Sequence, residues 1–67
     1  MDTYYLNEDS QATGEHEVHK EGCDRLLRSH RKNLGTFSTC QEALREAREY
    51  YKNVNGCKWC IPECHTH

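Results

Sequence analysis

Apolar residues are sparse along this chain and come in short runs, and the spacing within each run predicts a different element. Thr3-Tyr4-Tyr5-Leu6-Asn7 is aromatic and β-branched, and Glu15 to Lys20 follows after a polar stretch containing Gly14, so the two segments predict antiparallel strands. The join from Glu8 to Gly14 is too long for a tight hairpin and is expected to be a mobile loop. In the second strand, alternation puts His16, Val18 and Lys20 on one face and Glu15, Glu17 and His19 on the other. Gly22-Cys23 reads as a turn. Asp24 to Lys32 carries only Leu26 and Leu27 as apolar anchors, which predicts an irregular segment. Asn33 to Phe37 predicts a third short strand, with Leu34 and Phe37 inward and a bulge at Gly35.

The period then changes. Ser38 and Thr39 are good helix caps, followed three residues later by Gln41 and Glu42 respectively, the arrangement of a capping box. From there Cys40, Leu44, Ala47, Tyr51 and Val54 recur at spacings of four, three, four and three, flanked by Ala43 and Tyr50. This predicts one amphipathic helix running to a stop at Asn55-Gly56, with Glu42, Arg45, Glu46, Arg48, Glu49 and Lys52 on its wet face. Residues 63–67 are expected to form a loose tail unless Cys64 ties them down. The sum is a single α+β domain over residues 1–67, two or three short antiparallel strands packed on one amphipathic helix.

Composition adds a requirement. With 67 residues, 34% apolar and 30% charged, the core must be thin. Below roughly 70–80 residues a single core seldom contributes more than about 3–5 kcal/mol, so a cross-link is expected.

The spacing His19-x3-Cys23, answered by Cys57-x2-Cys60, offers four soft donors, the number a structural Zn2+ takes. Each pair can come from one tight turn, so only one long loop has to be closed. A zinc ion held by His19, Cys23, Cys57 and Cys60 would staple the end of the second strand to the segment after the helix. Two other arrangements compete. One is a set of buried thiols and disulfides with His19 exposed on its strand. The other is a local site built from Cys57, Cys60 and Cys64 with His65 or His67. Cys40 is either a small buried hydrophobe or the partner of Cys64 in a disulfide that folds the tail back along the helix. Trp59 is either a lid over the ligands or an aromatic that meets a partner. Tyr4, Tyr5, Tyr50 and Tyr51 read as core or half-buried residues before they read as a base-stacking platform.

At this point the order Glu17-Val18-His19, Gly22-Cys23, Leu26, Glu42-Ala43 and Cys57-x2-Cys60-x-Pro62 resembles a known pattern. Small bacterial modules carry His-x3-Cys, a Ser-x-x-Glu-Ala helix start and Gly-x-x-Pro-Cys-x-x-Cys; they resemble the metal-binding domain of Ada-type DNA-alkylation repair proteins and occur as tails on thermonuclease-like proteins. The resemblance spans roughly residues 17–62 and implies a structural zinc at His19, Cys23, Cys57 and Cys60. It does not imply methyl transfer, because the repair proteins use four cysteines and His19 stands at the first position here. Gly56 also replaces the proline before the third ligand, and Cys40, Cys64, His65 and His67 are additions.

Charge bears on partners. The net charge is −2 with histidines neutral, and acidic and basic residues interleave, which argues against a general phosphate-backbone binder. The one basic cluster, Arg25, Arg28, His30, Arg31 and Lys32, reads first as a solvated loop and second as a nucleic-acid contact through Arg25, Arg28, Arg31 and Lys32. No stretch reaches the roughly 18 apolar residues of a membrane span, and the N-terminus has no basic and apolar leader, so a cytoplasmic monomer with a protein partner is expected. Thiols in a reducing cytosol serve as metal ligands more readily than as disulfides. Three thiolates and a histidine close a zinc shell, and a chain this small has little room for a substrate pocket, so an enzyme is not expected. Thiol redox chemistry at Cys57 and Cys60 is the enzyme-like alternative, and it calls for a βαβ setting that the predicted order lacks.

Overall fold

The computed structural model describes residues 1–26 and 29–66. Leu27, Arg28 and His67, to which the sequence assigned an apolar anchor, a nucleic-acid contact and an optional ligand, lie outside the described residues. The chain runs β1 (Asp2–Asn7), β2 (His16–Lys20), β3 (Arg31–Phe37), α1 (Cys40–Ala47), β4 (Val54–Gly56) and a 3-10 turn, η1 (Pro62–Cys64). The four strands form one mixed sheet in the order β3-β1-β2-β4, so the fold is α+β as the sequence indicates.

Strand β1 pairs antiparallel with both neighbours, Tyr5 standing opposite His19 and Leu6 opposite Val18. The third strand begins two residues earlier than expected and takes in Arg31 and Lys32. Its bulge falls where the sequence placed it: Gly35 pairs with Tyr4 while Asn33 pairs with Tyr5, leaving Leu34 as the extra residue. Gly35 has φ +111°, a region that needs glycine, and its N–H donates to Asn33 Oδ1 at 2.8 Å.

Thr39 is the cap chosen from the two candidates. Its hydroxyl accepts from the Glu42 N–H at 3.3 Å, and Glu42 Oε1 accepts from the Thr39 N–H at 3.1 Å. The helix is shorter than its periodic stripe predicts. It ends at Ala47, and the next three residues continue only as turns, with Tyr51 N–H still reaching Ala47 O at 3.1 Å. Val54, Asn55 and Gly56 leave the stripe because the open edge of β2 offers them a ladder. They pair with it in parallel, His16 opposite Val54 and Val18 opposite Gly56. Tyr51, freed from the helix, stacks on His16 with ring centroids 3.7 Å apart.

The helix packs on the face carrying Tyr4, Leu6 and Val18, and contributes Cys40, Ala43, Leu44 and Ala47. Ile61, just before η1, is fully buried in the same cluster. Among the described residues the buried apolar side chains number eleven, of which only Tyr4, Leu6, Val18, Leu34, Leu44 and Ile61 exceed cysteine in size, so the core is thin as composition predicts. The condition set for the tail is met. Cys64 is bonded to Cys40, and Asn55 Oδ1 accepts from the Thr66 N–H at 3.1 Å.

Candidate metal centre

Two turns bring the donors together. After β2 the Cys23 N–H returns to Lys20 O at 3.1 Å, and after β4 the Ile61 N–H returns to Cys57 O at 3.0 Å. Since β2 and β4 are neighbours running the same way, both turns leave from one end of the sheet. The donor atoms of His19, Cys23, Cys57 and Cys60 consequently lie within 4.8 Å of one another, close enough to bind one metal ion. The separation of Cys23 Sγ from Cys57 Sγ is 3.8 Å. An ideal tetrahedron with bonds of about 2.3 Å has a sulfur–sulfur edge of about 3.8 Å. Cys60 Sγ lies 4.0 Å from His19 Nδ1, so that nitrogen faces the sulfurs.

Backbone groups prepare the sulfurs for negative charge. The Lys20 N–H donates to Cys60 Sγ at 3.3 Å and the Trp59 N–H to Cys57 Sγ at 3.4 Å. His19 and Cys57 are fully buried, and Cys23 and Cys60 are half-buried. Burial holds the His19 imidazole below its ordinary value against the opposing pull of Glu17, so it is neutral near pH 7 and ready to ligate. Burial also pushes the Cys60 thiol of the metal-free chain up to about 12. That proton must leave when a metal binds. Metal affinity should therefore rise with pH through the neutral range, about tenfold per pH unit for each thiol proton expelled. Chelator competition between pH 6 and 8 measures this, and a flat profile would remove the thiols from the ligand set.

The far side of His19 is also furnished. Nε2 lies 3.2 Å from Glu17 Oε1 and 3.0 Å from the Asn7 amide. The Asn7 atom in contact is Nδ2, a donor. With Nδ1 on a metal, the Nε2 proton would go to Glu17, which would fix the tautomer and ring orientation, and the Asn7 amide would have to turn its oxygen toward the ring. Alternation along β2 puts Glu17 on the His19 face, but nothing in the sequence points to Asn7. Once Tyr5 stands opposite His19, Asn7 and Glu17 fall on the same face. That register was the missing signal, hidden by the long β1–β2 connection.

Other expectations sort clearly. Cys40 and Cys64 form a disulfide, which excludes Cys64 from a local site with Cys57 and Cys60. His65 Nδ1 bonds to Gly56 O at 3.0 Å. Trp59 is 63% exposed and does not cover the ligands. Its ring lies 4.9 Å from the Arg25 guanidinium and 5.5 Å from the Lys58 ammonium. Trp59 instead forms one wall of a surface cavity of about 330 Å3, more room than the chain length suggested, which reaches Cys23 and Cys60. Among the described residues Arg25, Arg31 and Lys32 do not gather into one patch. Arg31 lies over Tyr5, on the face opposite the helix, while Lys32, half-buried, lies over Tyr50 beside the helix end. Tyr4 is buried, Tyr5 and Tyr51 are half-buried, and Tyr50 is exposed. The order of elements does supply a helix between two strands of like direction, β3 and β4, but Cys57 and Cys60 follow β4 and do not open the helix. No helix among the described residues is long and apolar enough to cross a membrane.

Fold and site together define a small α+β domain with a three-cysteine, one-histidine cluster at one end of its sheet. No family model, no curated protein and no solved structure matches the chain.

Proposed function

We propose that this chain is a small zinc-stapled binding or adaptor module that acts through surface contacts and not through catalysis. The observation that carries the reading is the convergence of His19, Cys23, Cys57 and Cys60, donors from two distant segments, at one end of the sheet. Three sulfurs and one nitrogen suit Zn2+ and fill its four positions, leaving none for a reacting water. A protein partner is the expected target. Trp59, exposed between Arg25 and Lys58 beside the cluster, is the aromatic best placed to meet one. A cytoplasmic setting would keep the three free thiols reduced, and the Cys40–Cys64 bond, 2% and 5% exposed, is shielded from exchange there.

A second reading, a nucleic-acid-associated module, is supported by the guanidinium–aromatic pairs Arg25–Trp59 and Arg31–Tyr5 and by the resemblance to Ada-type modules. The scattering of the cations over two faces and the net charge of −2 count against it.

Native mass spectrometry of untreated protein tests the first reading. One zinc per chain is expected, together with a polypeptide mass showing a single disulfide. No metal and a second disulfide would overturn it. Titration with single-stranded and duplex oligonucleotides over a salt series tests the second. Salt-sensitive binding abolished by Arg25→Glu and Arg31→Glu would move the assignment to nucleic acid.

A further inference from the structure

We propose that Cys23 is where oxidants enter the metal cluster, and that oxidation by a hydroperoxide ends in a Cys23–Cys57 disulfide that replaces the ion between the same two segments. The proposal rests on the metal reading above and adds to it a defined modification site.

Access separates the three free sulfurs. Cys57 is fully buried, whereas Cys23 and Cys60 are half-buried and face the cavity of about 330 Å3 walled by Arg25 and Trp59. A small peroxide fits that space. Hydrogen bonding then separates the two accessible sulfurs. Cys60 Sγ accepts the Lys20 N–H at 3.3 Å, which draws charge from the sulfur and blunts its nucleophilicity. Among the described residues no backbone N–H reaches Cys23 Sγ, which has Cys57 Sγ at 3.8 Å within hydrogen-bond reach and Cys60 Sγ within 4.8 Å. Cys23 is the accessible sulfur with no backbone donor on it, and the Cys57 thiolate stands within reach behind it.

The chemistry closes with peroxide as the sole oxidant. The Cys23 thiolate attacks one peroxide oxygen, the O–O bond breaks, and the products are a Cys23 sulfenic acid and, from hydrogen peroxide, a hydroxide ion. The Cys57 thiolate then attacks the sulfenic sulfur, the S–O bond breaks, and a second hydroxide leaves as the disulfide forms. Two thiolates lose two electrons in total, and the peroxide gains them. Zinc keeps only His19 and Cys60 and dissociates. The new bond joins the turn after β2 to the turn after β4, the two segments that the ion had joined, so loss of metal need not open the sheet.

The test uses the zinc-loaded chain. It is treated with hydrogen peroxide, zinc release is followed with a chromophoric chelator, free thiols are blocked, and the product is digested with trypsin. Cleavage after Lys58 separates Cys57 from Cys60, so the two possible partners are told apart. The expected result is release of one zinc equivalent and a linked pair of peptides, residues 21–25 with residues 53–58. A link from Cys57 to Cys60, or from Cys23 to Cys60, would overturn the assignment, as would zinc retained through the treatment. An untreated protein that holds no zinc would bring down the metal reading as well, so the two failures are distinguishable. Brief labelling with iodoacetamide gives an independent readout. Cys23 should react at least about tenfold faster than Cys57 in the loaded protein, following its exposure, and equal rates would remove the argument from access.

Discussion

Stripping the metal from the reduced-thiol protein should abolish its cooperative fold, with loss of amide-proton dispersion and of the thermal transition, and Cys57→Ser should do the same without a chelator. The expectation follows from magnitudes. A core of this size supplies about 3–5 kcal/mol, whereas zinc binding in small domains is worth about 10–16 kcal/mol. Cys57 is fully buried and stands 3.8 Å from Cys23 across the gap between the two ligand turns, so its loss removes the donor that joins them. The Cys40–Cys64 bond spans 24 residues and limits how far the chain can open. A loop of that length is worth about 3 kcal/mol by chain entropy, which is why Cys40→Ser should cost far less than Cys57→Ser. A chelated protein that keeps its thermal midpoint within a few degrees would show that the sheet and disulfide suffice, and the staple would lose its purpose.

The second large effect is expected at Gly56. A Cβ there would sit 2.8 Å from the carbonyl carbon, the carbonyl oxygen and the Cβ of Cys64. Two of these are backbone atoms, so no flexible side chain can yield. The tail would have to lift off β4, pulling on the disulfide at Cys64 and on Cys57 next door. Overpacking in a well-filled interior costs about 1–3 kcal/mol, and a backbone clash between β4 and η1 should reach at least the upper end. For a domain of this size each kcal/mol lowers Tm by about 4–8 °C. Gly56→Ala should therefore lose at least about 12 °C and weaken zinc retention in the same chelator titration. Gly14→Ala is the control. Its Cβ would meet nothing, and only the positive φ of 88° opposes it. Should the two substitutions behave alike, the close approach of tail and strand would not be a constraint in solution.

Gly56 also marks the limit of what local pattern reveals. No local signal marks a close contact there, because Asn55-Gly56 reads equally well as a helix stop. The helical stripe through Tyr51 and Val54 was in period with the helix and still misleading. Periodicity registers what a segment can do alone, whereas β4 forms because the edge of β2, 38 residues back in the chain, has backbone groups open to pairing. Ile61 was invisible for a related reason: a lone aliphatic residue beside the ligand cysteines has no period. By contrast, the Thr39–Glu42 cap, the Gly35 bulge and the four-donor set were readable, since each depends on a few residues at short fixed spacing. The Cys40–Cys64 bond was one of two open readings. What decided it was the early end of the helix, which lets the chain return and lay η1 beside the first helical turn.

The bulge on β3 has a consequence for how the domain behaves in company. With β1 and β2 inside, the sheet has two free margins, and β4 is only three residues long. The longer margin, β3, is the natural template for a strand from another molecule. Its hydrogen-bonding rhythm is broken at Leu34, Gly35 turns the backbone through φ +111°, and Arg31 and Lys32 put positive charge at its start. A second copy could not add there in continuous register. The same irregularity that seats Leu34 in the core thus guards the protein against growth into fibres, a protection that matters most for a chain with so small a core to hold it shut.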